Sequence, residues 1–494
     1  MSSLCRFTVA STVGLMGVLA STVRAQVVPA NPNFEAGPRD SAPSGWIARG
    51  PAGFRIVVVD SGAFQGRQAV LLHGTGTEGG FGTIIQRLDG PALRGQRVRY
   101  RAFVRAELTG TGAWSGLWLR VDRPDNQRGF FDNMQDRPID SPAWRMYEIT
   151  GEVAEDANAV VYGALLAGAG RMWVDSVTIE VLAPPDTADL PPPSPAALAY
   201  LESALGIMEH NSVNRSHVDW PALRSRARAR IAGAERPDQT YGAIRQALTE
   251  LGDRHSFFMA PRRSAEFVSA GAAFADSNAR VVDGRFGYVR IPAYSGGEPE
   301  AIRRFAQGMQ DAVRRLDGPL TCGWIVDLRG NTGGNMWPML AGIGPVLGEG
   351  VAGSFIAPGG NPVRWAYRRG AMTLGDSVQV PAPRAPYRLR RPGSPVAVLT
   401  DGSTVSSGEA VAVSFRGLPN ARSFGAATGG LSSANENYSL PDSAMILLTV
   451  ALDADRTGVL YGGPVVPDEP VANEPGRDAA LATAVRWLST RCPR

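Results

Sequence analysis

Hydrophobic and polar residues alternate over residues 97–105, with Phe103 as the one exception. Val98, Tyr100, Ala102 and Val104 alternate with arginines, a period of two that predicts a half-buried β-strand. Further strands are predicted at residues 117–121, 160–165 and 172–179, separated by glycine, proline, aspartate and asparagine clusters. This spacing is typical of a sandwich, so residues 27–182 are predicted to form an all-β unit.

The hydrophobic period changes after a proline-rich stretch at residues 183–195, which predicts an extended linker. Apolar residues at helical spacing predict helices at 197–208, 223–231 and 241–251, and these make residues 196–262 a helical subdomain. Asp219 followed by Pro221 is typical of a helix start, and Gly252 suits a helix end, which puts His255 in a tight loop.

Strands and helices alternate over residues 281–490, which predicts an α/β unit. The expected strands cover residues 286–291, 322–328, 395–400 and 444–450, with a last one leading to 465–468. Helices are expected at 299–316, from Met336 onward, after Ala410 and at 479–488. The loop at 329–334 ends in a glycine pair, which allows backbone amides to approach a ligand closely.

Residues 401–410, DGSTVSSGEA, join a predicted buried strand to a predicted helix. A serine at such a turn lies near the positive end of the helix dipole, where it can attack a carbonyl carbon. Ser406 and Glu409 also satisfy the S-x-x-E capping-box pattern, which requires no chemistry. The stretch alone leaves both interpretations open.

The first 26 residues resemble a secretory signal. A positive Arg6 precedes an apolar stretch too short to span a bilayer, and small residues end at Ala25, which predicts cleavage of residues 1–25. The formal net charge of +4 would fall to +2 without Arg6 and Arg24, and no basic cluster indicates nucleic-acid binding. We expect an exported protein, periplasmic or extracellular, without a transmembrane segment.

Few residues suit a metal site. The four histidines are scattered at positions 73, 210, 217 and 255, and none has a ligand spacing with another histidine or a cysteine. We therefore expect no metal and no cofactor. Cys322 and Cys492 remain after signal removal; they could pair in an oxidising compartment, but two cysteines do not define a disulfide framework.

Four ordered motifs resemble the S41 serine peptidases, the family of C-terminal processing and tricorn-type proteases. They are LGDRHS (251–256), GYVRI (287–291), DLRGNTGG (327–334) and TVSSGE (404–409), and the similarity spans roughly residues 196–490. The resemblance implies a crotonase-like ββα catalytic core with a helical N-terminal subdomain, and it implies that Ser406 is the nucleophile. Only about 25 residues separate Met259 from Phe286, too few for the PDZ domain of processing proteases.

The family has two catalytic designs, and the composition excludes one of them. All 50 basic residues are arginine, and Leu431 occupies the position of the catalytic lysine of processing proteases. The tricorn-like design implies a histidine base, here His255, whose side chain ordinarily titrates near neutrality. A second serine and an acid complete that relay; the expected residues are Ser256, which follows rather than precedes the histidine, and Asp468 or Glu469.

The resemblance also implies an oxyanion hole formed by the backbone amide of Ser407 with that of Gly333 or Gly334. Asp327, Arg329 and Asn331 are expected to hold the glycine loop. Together these residues imply an exported peptidase that acts on a peptide or protein. The alternative is a catalytically inactive binding protein on the same fold.

The N-terminal unit resembles galactose-binding-like and carbohydrate-binding jelly rolls in its NPNFE start and closing Trp173 and Asp175. Trp114, Trp118 and Trp144 could form a sugar-stacking platform, or they could pack in the core or on a sheet face. A carbohydrate ligand and a role in directing the peptidase to the cell envelope are further possibilities.

Overall fold

The computed structural model describes residues 28–76, 80–109, 112–124, 128–182, 190–383, 386–472 and 476–492. The predicted signal peptide and residues 183–189 of the predicted linker lie outside this part of the chain. No helix among the described residues has the length and apolar character needed to cross a bilayer.

The N-terminal unit is an antiparallel β-sandwich, as its alternating pattern predicts. One sheet has the strand order β1-β4-β9-β6-β7 and the other β2-β3-β10-β5-β8. Val98, Tyr100, Ala102 and Val104 are all fully buried, because alternate residues of β5 face the space between the sheets. The strands are β1 (Ile47–Arg49), β2 (Phe54–Val59), β3 (Ala69–Thr75), β4 (Phe81–Asp89), β5 (Arg97–Leu108), β6 (Trp114–Asp122), β7 (Arg128–Asp132), β8 (Arg145–Glu152), β9 (Ala159–Ala167) and β10 (Ala169–Leu182).

Three helices follow, α1 (Pro195–Asn211), α2 (Trp220–Arg230) and α3 (Tyr241–Glu250). Ser194 and Asp219 cap α1 and α2 by accepting a backbone N–H, and a proline lies in the first turn of each helix. The apolar faces of these helices pack with Leu440, Ile446 and Leu448 of the following α/β unit. The helical segment therefore shares a core with the α/β unit.

The α/β unit contains a mainly parallel sheet in the order β12-β13-β14-β19-β20-β23. Loops that follow β14 and β19 leave the same edge of this sheet, since neighbouring parallel strands end together. The strands are β12 (Ala279–Val282), β13 (Phe286–Arg290), β14 (Gly323–Asp327), β19 (Val396–Thr400), β20 (Ala421–Gly425) and β23 (Glu469–Pro470). The helices are α4 (Pro261–Ser269), α5 (Pro299–Leu316), α6 (Met336–Leu347), α7 (Ser407–Phe415) and α8 (Ala479–Arg491).

A second sheet of seven strands packs against α6 and α7. Its order is β11-β22-β15-β16-β17-β18, with β21 also paired to β22. The sequence analysis predicted only β22 of these. The strands are β11 (Phe257–Met259), β15 (Gly350–Ile356), β16 (Val363–Arg368), β17 (Ala371–Leu374), β18 (Ser377–Val380), β21 (Ser433–Ser439) and β22 (Met445–Asp455).

A disulfide joins Cys322, just before β14, to Cys492 at the end of α8. This pairing, which the sequence left open, fastens α8 to the outer face of the parallel sheet. Leu488 of α8 is fully buried there against Phe286 and Phe424.

Candidate active site

Ser406 lies on the turn between β19 and α7, as the strand–turn–helix pattern predicts. Its φ of 54° and ψ of −123° belong to a backbone region that non-glycine residues rarely adopt, at a cost of about 1–3 kcal/mol. The Ser406 Oγ lies 2.8 Å from His255 Nε2, whereas the Glu409 N–H donates to the Ser406 carbonyl oxygen. The hydroxyl therefore does not act as a helix cap.

His255 is held in its loop by three polar contacts around its backbone. The Asp253 Oδ1 accepts the His255 N–H at 3.0 Å and the Ser256 N–H at 2.6 Å. The Asn435 Nδ2 donates to the His255 carbonyl oxygen at 2.8 Å. These contacts tie the loop to β21, so that the imidazole is fixed over the Ser406 turn.

The second imidazole nitrogen contacts Ser433, which the sequence analysis did not identify. The His255 Nδ1 lies 2.8 Å from Ser433 Oγ at the start of β21. With Nδ1 protonated toward Ser433, Nε2 carries the lone pair that faces Ser406. The arrangement is Ser406–His255–Ser433, assembled from three separate segments.

The structure corrects the two expected relay members. The Ser256 hydroxyl donates to Asp253 Oδ2 at 2.8 Å and so helps to form the loop instead of contacting the imidazole. The Asp468 carboxylate accepts the Ser423 N–H at 2.8 Å and pairs with Arg416, which places it at the β20–β23 edge. Glu469 pairs with Arg422 at that edge. None of these three side chains contacts His255.

Glu409 is a fully buried carboxylate that braces the Ser406 turn. Its oxygens accept the N–H groups of Ser406 at 2.9 Å, Gly430 at 2.9 Å and Leu431 at 2.7 Å, and the hydroxyl of Thr428. Burial raises the pKa of Glu409, and these four hydrogen bonds oppose that rise. Glu409 thus joins the start of α7 to residues 428–431.

The glycine pair lies against the serine turn. A Cβ on Gly333 would be 2.7 Å from the Ser406 Cβ, and one on Gly334 would be 1.9 Å from the Tyr294 carbonyl oxygen, so neither position accommodates a side chain. The Ser407 hydroxyl donates to the Gly334 carbonyl oxygen at 2.7 Å. The two loops are therefore held together directly beside Ser406.

The three expected oxyanion-hole amides differ in their hydrogen bonding. The Gly333 N–H donates to the Asn331 Oδ1 at 2.9 Å, so that amide is already engaged. The N–H groups of Ser407 and Gly334 have no hydrogen-bond partner among the described residues. Asn331, Asp327 and Arg329 hold the loop as expected: Asn331 Nδ2 donates to the Ile291 carbonyl oxygen at 3.0 Å, and Asp327 pairs with Arg329.

His255 is only 8% exposed. Burial lowers the pKa of its imidazole from 6.5 to about 4, and the nearby Asp253 charge opposes this change only in part. The ring is therefore neutral at neutral pH. The ionisation lies below the ordinary histidine range that the sequence suggested.

Ser406, His255 and Ser433 line one cleft with a volume of about 1290 Å³. Its walls come from all three units of the chain, including Phe131 and Asp136 of the sandwich. A cleft of this size accommodates an extended segment of several residues. Ser406 and His255 lie on the part of the cleft surface that such a segment would contact.

The tryptophans expected as a sugar platform do not share one surface. Trp114 and Trp118 lie on β6 of the first sheet, and Trp118 is buried, with its Nε1 donating to Thr83 Oγ1 at 3.0 Å. Trp144 lies beside the second sheet, where its ring is 6.1 Å from the ring of Phe64 and 5.6 Å from the Arg105 guanidinium.

Comparison with known proteins places the peptidase similarity in the α/β unit. Residues 285–471 match the model of Peptidase family S41. A nisin-resistance protein from Lactococcus lactis subsp. lactis is 26% identical over 308 residues, which cover 61% of this chain and 89% of that protein. A solved lipoprotein from Streptococcus agalactiae is 24% identical with a TM-score of 0.52, over 60% of this chain and 98% of that one.

The sandwich has its own structural neighbours. The CBM22-1 xylan-binding domain from Paenibacillus barcinonensis is 15% identical with a TM-score of 0.24, over 31% of this chain and 92% of that domain.

Proposed function

We propose that the chain is an exported serine peptidase with a histidine general base, because residues 285–471 match the model of Peptidase family S41. The observation that carries the proposal is the 2.8 Å contact between Ser406 Oγ and His255 Nε2 on a strained strand-to-helix turn. The hydroxyl of a capping serine would accept a hydrogen bond from a backbone N–H of the helix. The Ser406 hydroxyl instead contacts a buried, neutral imidazole.

In the proposed reaction, Ser406 Oγ attacks the carbonyl carbon of the scissile peptide bond while His255 Nε2 takes the hydroxyl proton. Ser433 Oγ holds Nδ1–H and so fixes the tautomer that leaves Nε2 able to accept. The carbonyl oxygen becomes an oxyanion, which the N–H groups of Ser407 and Gly334 are positioned to stabilise. We assign no role in this hole to Gly333, since its N–H already donates to Asn331.

The tetrahedral intermediate then collapses, and the imidazolium gives its proton to the leaving amine. Water attacks the resulting acyl-enzyme with His255 again as base, and the acid product leaves Ser406 free. Burial of His255 makes the imidazolium costly, but the same burial keeps the base deprotonated and ready at neutral pH. The Ser433 contact offsets part of that cost by accepting a hydrogen bond from the charged ring.

The test uses a fluorophosphonate probe and a peptide substrate with three proteins, the wild type, Ser406→Ala and Ser403→Ala. Ser403 is an exposed serine of the same turn, so its removal is the matched control. We expect Ser406→Ala to lose probe labelling and to lose activity by several orders of magnitude, roughly a millionfold. Ser403→Ala should keep both.

A wild-type chain that hydrolyses no peptide and takes up no probe would contradict the proposal and favour a binding protein on this fold. Activity that survives in Ser406→Ala but disappears in Ser407→Ala would move the nucleophile by one position.

We further propose that the peptidase acts outside the cytoplasm and that the sandwich binds carbohydrate there. The Cys322–Cys492 disulfide supports export, since such bonds persist in oxidising compartments. Phe64, 42% exposed, and Trp144 lie side by side in loops beside the second sheet and provide aromatic surface for a sugar ring. Cell fractionation tests the location. Titration of the wild type and of Trp144→Ala with cell-wall and plant-type oligosaccharides tests the binding. Equal affinity of the two proteins would refute the proposal that this surface binds the sugar.

A further inference from the structure

Asp453, near the end of β22, is a buried carboxyl without a partner. It is 1% exposed, and neither Oδ1 nor Oδ2 has a hydrogen-bond partner among the residues that the structure describes. Burying an unpaired ionisable group costs several kcal/mol, and nearly all buried polar atoms in native proteins are paired. Such a group calls for a partner that binds from outside the chain.

The strand register places Asp453 beside the proposed catalytic residues. Its backbone N–H donates to the Ser432 carbonyl oxygen at 3.3 Å, one residue before the Ser433 that contacts His255. The charge of Glu409, which braces the Ser406 turn, helps to raise the pKa of Asp453, so the two carboxyls lie near each other. Asp453 and Ser406 line the same cleft.

Apolar side chains form part of the cleft wall that includes this carboxyl. Phe355 is the direct cross-strand partner of Asp453 and lines the cleft with it, since opposed residues share one face of a sheet. Trp337, Ala410 and Leu431 also line the cleft, and the rings of Phe355 and Trp337 are 6.4 Å apart. An apolar wall with one carboxyl suits a long side chain that has methylene groups and a positive end.

The charged residues elsewhere in the cleft are already engaged. Asp136 pairs with Arg245, and Asp253 accepts the hydrogen bonds of the His255 loop. Arg123 pairs with Asp156, and Arg263 with Glu266. Arg215 and Arg254 also line the cleft, and both donate to backbone carbonyl oxygens, Arg215 to those of Ser212 and Pro358 and Arg254 to that of Gly430. Among the described residues, no arginine hydrogen-bonds to Asp453.

We propose that Asp453 is a specificity-determining residue that receives the lysine or arginine side chain of a peptide substrate next to the scissile bond. The proposal rests on the proposed peptidase function. Burial and the Glu409 charge raise the pKa of Asp453 to about 8, so the carboxyl is largely protonated at neutral pH. A bound cation favours the carboxylate, and the proton passes to solvent. The ion pair then lies among apolar groups, where charge complementarity discriminates strongly.

The test compares peptides that differ only at one position, which carries lysine, norleucine or glutamate. The position is scanned through the three residues on each side of the cleaved bond. For wild-type protein we expect kcat/KM to be about tenfold to a hundredfold higher for lysine than for norleucine at one position. Asp453→Asn should bring that ratio close to one, because the lysine peptide loses its charged partner.

Two controls accompany this comparison. Asp276→Asn removes a carboxylate whose side chain is 83% exposed and which does not line the cleft, and it should keep the lysine preference. Asp453→Leu provides a second variant with the same expected loss of preference. Both variants at 453 remove an unpaired buried ionisable group, and thermal unfolding would verify that they fold.

Binding measurements separate this proposal from the proposed function. Labelled lysine and norleucine peptides are titrated into Ser406→Ala and into Ser406→Ala with Asp453→Asn. An Asp453-dependent preference for lysine without any hydrolysis by the wild type would overturn the peptidase and support the subsite. Equal affinity and equal kcat/KM for the lysine and norleucine peptides at every position would overturn the subsite. A preference for lysine that survives in Asp453→Asn would overturn it as well.

Discussion

Replacing His255 with glutamine should make the protein less sensitive to acid. The imidazole has a pKa of about 4 in the folded chain and 6.5 when it is free, because burial disfavours its charged form. The unfolded chain therefore binds a proton between these two values that the folded chain does not bind. Stability is retained above pH 6.5 and is lost as the pH falls toward 4.

The difference between 6.5 and about 4 corresponds to about 3 kcal/mol, at 1.36 kcal/mol for each pH unit. Most of this loss should be complete by pH 4.5. Because His255 is only 8% exposed, solvent screening reduces the figure little. Glutamine can keep a polar contact in the loop and does not titrate, so His255→Gln should lack this part of the acid sensitivity.

The assay is urea unfolding of both proteins at pH 7.5 and pH 4.5. All other titrating groups are common to the two proteins and cancel when the two pH-dependent losses are subtracted. We expect the wild type to lose about 2–3 kcal/mol more than the variant over this range. Equal losses would show that His255 is not buried in neutral form, and the reasoning would be refuted.

Peptide hydrolysis by the wild type provides a second readout of the same ionisation. If neutral His255 is the base, kcat/KM for the norleucine peptide, which does not engage the Asp453 charge, should be flat above about pH 6 and should fall to half near pH 4. A half-maximum near pH 6.5 would mean that the imidazole is solvated in the working enzyme.

Ser433→Ala should lower kcat by about tenfold to a hundredfold and change KM less, because the hydrogen bond that fixes the His255 tautomer is lost. Ser432→Ala, one residue away, does not remove that contact and serves as the comparison. Reduction of the Cys322–Cys492 disulfide should lower the free energy of unfolding by about 2–4 kcal/mol, measured by denaturant midpoint, and a Cys322→Ser variant should show no response to reductant. A chain that starts at Leu190 should fold and still cleave a short peptide, since the contacts of Ser406 and His255 come from residues after 190. Loss of the Arg230–Glu152 and Arg245–Asp136 ion pairs should cost only about 1 kcal/mol each. An insoluble product would show that the sandwich is part of the folding unit.

Local sequence patterns determined the secondary-structure type of most elements and the position of Ser406. The period-two pattern of β5 and the strand–turn–helix at 395–415 depend on neighbouring residues alone, so they can be recognised without the fold. The family resemblance added the expectation that His255 reaches Ser406, and the structure brings them together across 151 positions in the chain.

The strands β15 to β18 and β21 of the second sheet escaped prediction, and β21 shows the reason most clearly. Residues of β21 are SANENYS, all exposed or half-buried, and only pairing with β22 makes them a strand. Ser433 therefore had no local signal as the partner of His255. The register of β21 on β22 brings it to the imidazole.

The acid of the expected relay illustrates the same limit. Asp468 lies just before β23, and its carboxylate contacts Ser423 and Arg416 and not His255. Asp453 lies near the end of a mainly apolar strand, and no local pattern indicated that its carboxyl would line the cleft. The sequence by itself therefore determined which residue types and local elements are present. Only the tertiary structure decided which polar groups meet and which remain unpaired, because hydrogen bonding and burial depend on distances between segments far apart in the chain.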